Sequence, residues 1–204
     1  MSLEVIEIAP ERDRTPTATL VLLHGWGANA RDLASLHPLL NLPDYLCLCP
    51  DAPLPHPYVP GGKMWYDLET EEYDGLADSR DRLCQWLDGL EAKTGISLEK
   101  TVLAGFSQGG AMTLDVGAHY PLAGLVAMSG YLHGSIEARA KFPPVLVMHG
   151  RQDPIVPLSA ARQARDRLTE IGATVAYEEF DMAHQICPQE VLKLRQFVLD
   201  NTQN

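Results

Sequence analysis

The feature that most constrains the fold is a set of short, almost uninterrupted apolar runs, such as TLVLLHG and PVLVMHG. Such runs predict strands buried on both faces, because a strand with one solvent face alternates polar and apolar residues. Seven segments are predicted strands: Leu3–Ile8, Thr19–Leu23, Tyr45–Cys49, Thr101–Phe106, Gly124–Ser129, Val145–His149 and Thr174–Phe180. The first of them, Leu3–Ile8, alternates polar and apolar residues, which is typical of an edge strand.

Helical periodicity fills the segments between several of these strands. Leu76–Lys93 has one apolar face and is followed by Gly95, a residue suited to a left-handed helix end. Leu158–Ile171 has a similar inward stripe, and a last helix is predicted to begin at Pro188, since proline suits a first helical turn. Strands that alternate with such helices predict an α/β fold, with a mostly parallel central sheet covered by helices on both faces.

The composition suits one compact domain. The chain has 204 residues, of which 46% are hydrophobic, enough for a substantial core, so residues 1–204 are predicted to form a single domain. The net charge is −11 and there is no basic cluster, which argues against nucleic-acid binding. No stretch approaches the roughly 20 apolar residues of a membrane span.

The cysteines and the N-terminus indicate a cytoplasmic protein. The four cysteines show no spacing typical of a zinc site, and we interpret them as buried free thiols. The first residues, MSLEVIEIAP, lack the basic lead and the apolar region of an export signal.

One stretch, residues 50–75, is predicted to be irregular. Its prolines exclude it from a central strand or a helix interior. Long structured loops in compact domains are often functional, so we expect this segment to line a pocket.

The run TVLAGFSQGGA contains a G-x-S-x-G motif centred on Ser107. The motif follows an apolar strand and precedes a helical pattern, which is the context in which such a serine lies at a tight strand-to-helix turn. Gly105 and Gly109 would allow the strand and helix to approach closely. The turn would place the Ser107 hydroxyl at a helix N-terminus, where backbone N–H groups favour developing negative charge.

A serine nucleophile needs a base, and the base needs an orienting carboxylate. In this kind of fold the chain order is serine, acid, histidine. Four histidines follow the serine: His119, His133, His149 and His184. His184 is the predicted base because it follows the last strand and leaves a suitable acid before it, whereas His133 stays open as an alternative.

Asp153 is the predicted acid. It follows a strand, and the prolines after it stiffen its turn. Asp181 is the alternative acid.

The loop after an early strand, LLHGWGAN, is predicted to supply part of an oxyanion hole. The backbone N–H of Trp26 would be one donor, and that of Gln108, the residue after the nucleophile, the other. His24 is expected to hold this loop by hydrogen bonding rather than to act as a base.

Five motifs in order, LHGWG, PDAP with MWYD, GFSQGGAM, HGRQDPIVP and MAHQICP, resemble the phospholipase/carboxylesterase group of α/β-hydrolases, which includes acyl-protein thioesterases. The resemblance covers nearly the whole chain and implies an α/β-hydrolase fold without a large cap. It implies the same site residues: the triad Ser107, Asp153 and His184, the oxyanion donors Trp26 and Gln108, and a substrate-binding aromatic residue beside the site, Trp65. The alternative role for Trp65 is a buried anchor of its loop.

The resemblance also implies hydrolysis of carboxylic esters or thioesters without metal or cofactor. Short- to medium-chain acyl groups are expected, with long-chain acyl-protein or lysophospholipid substrates as the alternative. A small molecule or an acylated protein would be the partner, and a monomer and a homodimer both stay open. A non-catalytic ligand-binding protein of the same fold is a further alternative. Ala183 stands where many relatives have glycine, and PHPYVPGGK differs from the more polar segment of relatives.

Overall fold

The computed structural model describes residues 3–10, 15–134, 136 and 141–203. Within them lie nine strands: β1 (Val5–Ile8), β2 (Ala18–Leu23), β3 (Tyr45–Pro50), β4 (Leu54–Pro55), β5 (Lys63–Met64), β6 (Thr101–Phe106), β7 (Gly124–Met128), β8 (Val145–Gly150) and β9 (Val175–Phe180). Seven of them form one sheet in the order β1-β3-β2-β6-β7-β8-β9. Only β1 pairs antiparallel in this sheet, and it lies at an edge, so the predicted mostly parallel sheet with an alternating edge strand is confirmed.

Helices cover both faces of the sheet. They are α1 (Ala30–Ala34), α2 (His37–Leu40), α3 (Leu76–Asp88), α4 (Leu90–Thr94), α5 (Gln108–Gly117), α6 (Leu158–Glu170) and α7 (Pro188–Thr202). Alternate residues of β2 belong to two separate hydrophobic cores. Val21 and Leu23 pack with side chains of α3, α5 and α6, while Leu20 and Leu22 pack with α1, α2 and α7. This is why the central strands read as continuous apolar runs.

Two predicted segments differ in detail. The single helix predicted over Leu76–Lys93 is interrupted at Gly89, between α3 and α4. Glycine has a low helix propensity and its N–H turns back to the carbonyl of Leu87, which tightens the chain there. The irregular segment 50–75 contains one small antiparallel pair, β4 with β5.

The parallel strands end at the same edge of the sheet, and the segments that follow them carry the candidate site. None of the helices in the described part of the chain has both the length and the apolar character that a membrane span requires.

Candidate active site

Ser107 lies at the tight turn between β6 and α5, with φ 54° and ψ −118°. A positive φ is strained for a serine, and its N–H donates to the carbonyl of Met128 at 2.8 Å, which helps to hold the turn. A Cβ on Gly105 would lie 2.2 Å from the carbonyl oxygen of Gly109, and one on Gly109 would lie 2.2 Å from that of Leu23. The motif glycines are therefore required by backbone contact.

Three of the predicted residues form a continuous hydrogen-bonded chain. His184 Nε2 lies 2.9 Å from Ser107 Oγ, and His184 Nδ1 lies 2.7 Å from Asp153 Oδ2. The other oxygen, Asp153 Oδ1, accepts the backbone N–H groups of Ile155 and Val156, both at 2.9 Å.

The electrostatics favour an ionised Asp153. Burial of its side chain would raise the pKa of the carboxyl, but the hydrogen bond to His184 and the two backbone N–H groups outweigh burial, and the pKa lies below its ordinary value. An ionised carboxylate only accepts, so Nδ1 of His184 carries a proton. In neutral His184 the Nε2 atom is then free to accept the proton of Ser107.

The alternative residues lie in other contacts. Asp181 has 77% of its side chain exposed and pairs with Arg151 at 2.8 Å. His149 is buried, and its Nε2 donates to the carbonyl of Val156 at 2.8 Å. His133 bonds to Asp115 rather than to the serine. Of the open alternatives, the structure brings none to the Ser107 hydroxyl.

The loop after β2 passes directly beside Ser107. A Cβ on Gly25 would lie 3.3 Å from the Cβ of Ser107. Among the described residues, no backbone acceptor pairs with the N–H of Trp26. That N–H is therefore available to a ligand, as an oxyanion donor must be.

His24 holds this loop, as expected from the sequence. It is fully buried, its Nδ1–H donates to the carbonyl of Gly25 at 2.8 Å, and its Nε2 accepts the N–H of Ala52 at 2.9 Å. Burial lowers the pKa of His24, so the ring stays neutral. Both ring nitrogens of His24 form hydrogen bonds that hold the backbone, which leaves neither nitrogen for proton transfer.

Segment 50–75 packs on the same loop. The N–H of Gly27 donates to the carbonyl of Lys63 at 2.9 Å, and the N–H of Lys63 donates to that of Ala28 at 2.7 Å. The segment thus lies next to the predicted oxyanion hole, where a pocket wall would be needed.

Trp65 anchors this segment. Its side chain has no exposed surface, its Nε1–H donates to the carbonyl of His24 at 3.0 Å, and its backbone N–H donates to Oε1 of Gln108 at 2.8 Å. The sequence left two roles open for Trp65. The complete burial and these hydrogen bonds agree with the anchoring role, and the substrate-binding role of Trp65 stays a prediction.

Comparisons with known proteins agree with this geometry. A family model described as Phospholipase/Carboxylesterase matches residues 3–201. The chain belongs to the phospholipase/carboxylesterase family. It is 30% identical to acyl-protein thioesterase 1 of Neurospora crassa over 213 aligned residues, covering 90% of this chain and 86% of that protein.

Solved structures of this family's fold superpose along the whole chain. The crystal structure of esterase PE8 has a TM-score of 0.90 and 28% identity, covering 98% of this chain and all of that one. Acyl-protein thioesterase 2 of Zea mays has a TM-score of 0.78 and 25% identity, covering 98% and 99%. The predicted α/β-hydrolase fold is confirmed. As a member of this family, the chain is a hydrolase.

The sequence pattern did not reveal a second polar cluster beside the site of this phospholipase/carboxylesterase. His133 bonds to Asp115 and to the hydroxyl of Tyr66. One signal was available: Asp115 is the only charged residue of α5, whose other residues are uncharged and buried. A lone carboxylate on a buried helix needs a partner.

Proposed function

We propose that the chain is a serine hydrolase of carboxylic esters or thioesters, in which Ser107 is the nucleophile, His184 the base and Asp153 the orienting acid. The observation that carries the proposal is the unbroken chain of hydrogen bonds, 2.7 Å and 2.9 Å long, from the buried carboxylate to the hydroxyl at the strained turn. A serine hydroxyl becomes a nucleophile only when such a base is within reach.

The mechanism follows from these contacts. His184 Nε2 takes the proton of Ser107 as its Oγ attacks the acyl carbon, and Asp153 stabilises the imidazolium. As the tetrahedral intermediate collapses, the bond to the alcohol or thiol breaks and His184 returns the proton to that leaving group. Water, deprotonated by His184, then attacks the acyl-enzyme, which releases the carboxylic acid and restores the Ser107 hydroxyl.

The oxyanion of each intermediate would accept the backbone N–H groups of Trp26 and Gln108. Gln108 is the first residue of α5, so its N–H lies at a helix N-terminus, where the dipole also favours negative charge. Removing one such donor typically costs about 100- to 1000-fold in kcat.

The substrate class proposed is a short- to medium-chain ester or thioester. A second candidate, a long-chain acyl substrate, is favoured by exposed apolar side chains in segment 50–75 and next to Asp153: Tyr58, Val59, Leu68 and Ile155. Apolar surface of this kind would stabilise an extended acyl chain by its burial.

The test is hydrolysis of a 4-nitrophenyl ester series from acetyl to palmitoyl by the wild type and by Ser107→Ala. A maximum at short chains that vanishes in the variant supports the proposal, and a maximum at long chains supports the second candidate, with thioesters measured next. If no ester is hydrolysed and a fluorophosphonate probe fails to label Ser107, the triad is not assembled and a ligand-binding role takes its place.

We further propose that one domain, spanning at least the matched residues 3–201, acts in the cytoplasm without a cofactor. The free thiols of Cys47, Cys49, Cys84 and Cys187 support a reducing compartment. Cell fractionation with an antibody to the chain tests the location.

A further inference from the structure

Four side chains form a second hydrogen-bonded chain that does not touch the nucleophile. Asp115 Oδ2 lies 3.1 Å from His133 Nδ1, His133 Nε2 lies 2.6 Å from the hydroxyl of Tyr66, and that hydroxyl lies 2.6 Å from the hydroxyl of Tyr131. We call Asp115, His133, Tyr66 and Tyr131 the tyrosine relay. Arg80 closes its far end by an ion pair with Asp115.

The order of donors in the relay follows from its surroundings. Burial would raise the pKa of Asp115, but His133 and Arg80 outweigh it, so the pKa is lowered and the carboxylate only accepts. Burial raises the pKa of Tyr66, and it raises that of Tyr131 to about 12, so both hydroxyls keep their protons. With neutral His133, Tyr131 donates to Tyr66, Tyr66 to His133, and His133 to Asp115.

The relay meets the candidate active site at one residue, Tyr66. The backbone carbonyl of Tyr66 accepts Nε2 of Gln108 at 2.7 Å, while Oε1 of Gln108 accepts the N–H of Trp65 at 2.8 Å. Gln108 and Asp115 are seven residues apart on α5, which is two helical turns and therefore the same face. Tyr66 is thus attached to this face twice, directly at Gln108 and through His133 at Asp115.

We propose that Tyr66 and His133 are positioning residues, which fix the side chain of Gln108 and so keep its backbone N–H aimed at the oxyanion. This inference rests on the proposed function. Neither residue hydrogen-bonds to Ser107 or His184, both of which lie within the described part of the chain, so both act through the backbone of segment 50–75. A small displacement of an oxyanion donor weakens transition-state binding more than ground-state binding, which lowers kcat more than it raises KM.

The hydroxyl of Tyr66 can be removed without removing its ring. The ring makes edge contacts with Tyr73 and His133, at centroid distances of 5.1 Å and 4.8 Å, and phenylalanine can keep them. Tyr73→Phe is the matched control. It removes a hydroxyl from the same aromatic cluster, and that hydroxyl forms no hydrogen bond with the described residues.

The first experiment compares kcat and KM of Tyr66→Phe, Tyr73→Phe and wild type on the best ester, with Tm measured for each. We expect Tyr66→Phe to lower kcat about tenfold with KM changed less than about twofold, and Tyr73→Phe to stay within about twofold of wild type. His133→Gln should lower kcat similarly and replaces Tyr66→Phe if that variant does not fold. Unchanged kcat in both folded variants would overturn the inference.

A double-mutant cycle separates positioning from a general structural role. Gln108→Met removes both amide contacts to segment 50–75 at similar side-chain length. If Tyr66 acts through Gln108, adding Tyr66→Phe to Gln108→Met should lower kcat by less than about twofold more. A full further tenfold loss would show that the hydroxyl acts independently. A wild type without Ser107-dependent activity would instead refute the proposed function, and this inference with it.

Discussion

Among the described residues, two hydrogen-bonded Asp–His pairs end on a hydroxyl group, and the two hydroxyls lie in different surroundings. Asp153 and His184 end on Ser107, and Asp115 and His133 end on Tyr66. In both pairs the carboxylate faces Nδ1 and the hydroxyl faces Nε2. The serine hydroxyl lies at a strained turn and a helix N-terminus, beside the N–H of Trp26, for which the described residues offer no backbone acceptor. The tyrosine hydroxyl is fully buried among aromatic rings. An Asp–His pair alone therefore does not define a catalytic site.

The two carboxylates differ as well. Asp153 is held by two backbone N–H groups, which are neutral, whereas Asp115 also carries an ion pair with Arg80. The cation offsets the negative charge that would otherwise stabilise an imidazolium. The second pair is thus suited to hold structure, and the first to move protons.

Removing the two hydroxyls is the strongest way to test this contrast. Ser107→Ala should fold normally and lose at least about 1000-fold in kcat, because no nucleophile remains, against about tenfold for Tyr66→Phe. Steady-state ester hydrolysis, with Tm as the folding control, measures both. Comparable losses of kcat in the two variants would contradict the assignment of Asp153 and His184 to catalysis and of Asp115 and His133 to positioning.

Neutralising the two acids sharpens the contrast. Asp153→Asn should lower kcat by roughly 1000- to 10,000-fold, because His184 would lose the partner that sets its tautomer, and Asp115→Asn by no more than about tenfold. Both keep side-chain volume. A larger loss in Asp115→Asn would make the second pair the catalytic one.

Asp153→Asn should also change how the stability of the protein depends on pH in the acid range. The folded-state pKa of Asp153 is depressed, so its contribution to stability is present above the ordinary value near 3.9 and is lost as the pH falls through the lowered pKa. The difference in unfolding free energy between wild type and Asp153→Asn should stay constant at neutral pH and shrink below about pH 4. Denaturant titrations across this range provide the measurement.

Backbone contacts beside the two histidines give a third comparison. A Cβ on Gly150 would lie 2.3 Å from the carbonyl oxygen of Met182, in the loop that carries His184. A Cβ on Gly134, next to His133, would meet no atom of the described residues within 4 Å. Gly150→Ala should therefore lower kcat about 100-fold by displacing the base, and Gly134→Ala by less than about twofold. Equal kcat values for the two variants would contradict the close approach at Gly150.

Glu190 is a fully buried carboxyl that bonds to no histidine of the described residues, and its replacement should affect activity least. Neither of its oxygens has a hydrogen-bond partner among the described residues, and burial raises its pKa to about 8. A raised pKa means that wild-type stability falls, relative to Glu190→Gln, as the pH rises from about 4.5 to about 8.

Glu190→Gln should therefore raise stability by roughly 4 kcal/mol near pH 8, or about 8 to 16 °C in Tm, with no gain near pH 4. Activity at pH 7 should change by less than about twofold. Thermal unfolding at several pH values is the measurement, and a gain that does not depend on pH would refute a buried neutral carboxyl.

Much of the fold could be read from the chain. All seven sheet strands lie within two residues of their predicted bounds, because strands buried on both faces give uninterrupted apolar runs. The break at Gly89 was not predicted, since the apolar face of the helix continues across it. The pairing of His184 with Asp153 was predicted from their positions after strands, but their hydrogen-bond distances required the structure.

The sequence by itself determined the class of the fold and the strained serine turn, because both depend on local patterns: apolar runs, glycine spacing and helix starts. The tertiary structure alone decided that Trp65 is buried and that Tyr66, His133 and Asp115 meet. Those residues are far apart along the chain and belong to separate elements. Contacts of that kind depend on the three-dimensional packing of α5, the loop after β7 and segment 50–75, which leaves no periodic pattern in the sequence.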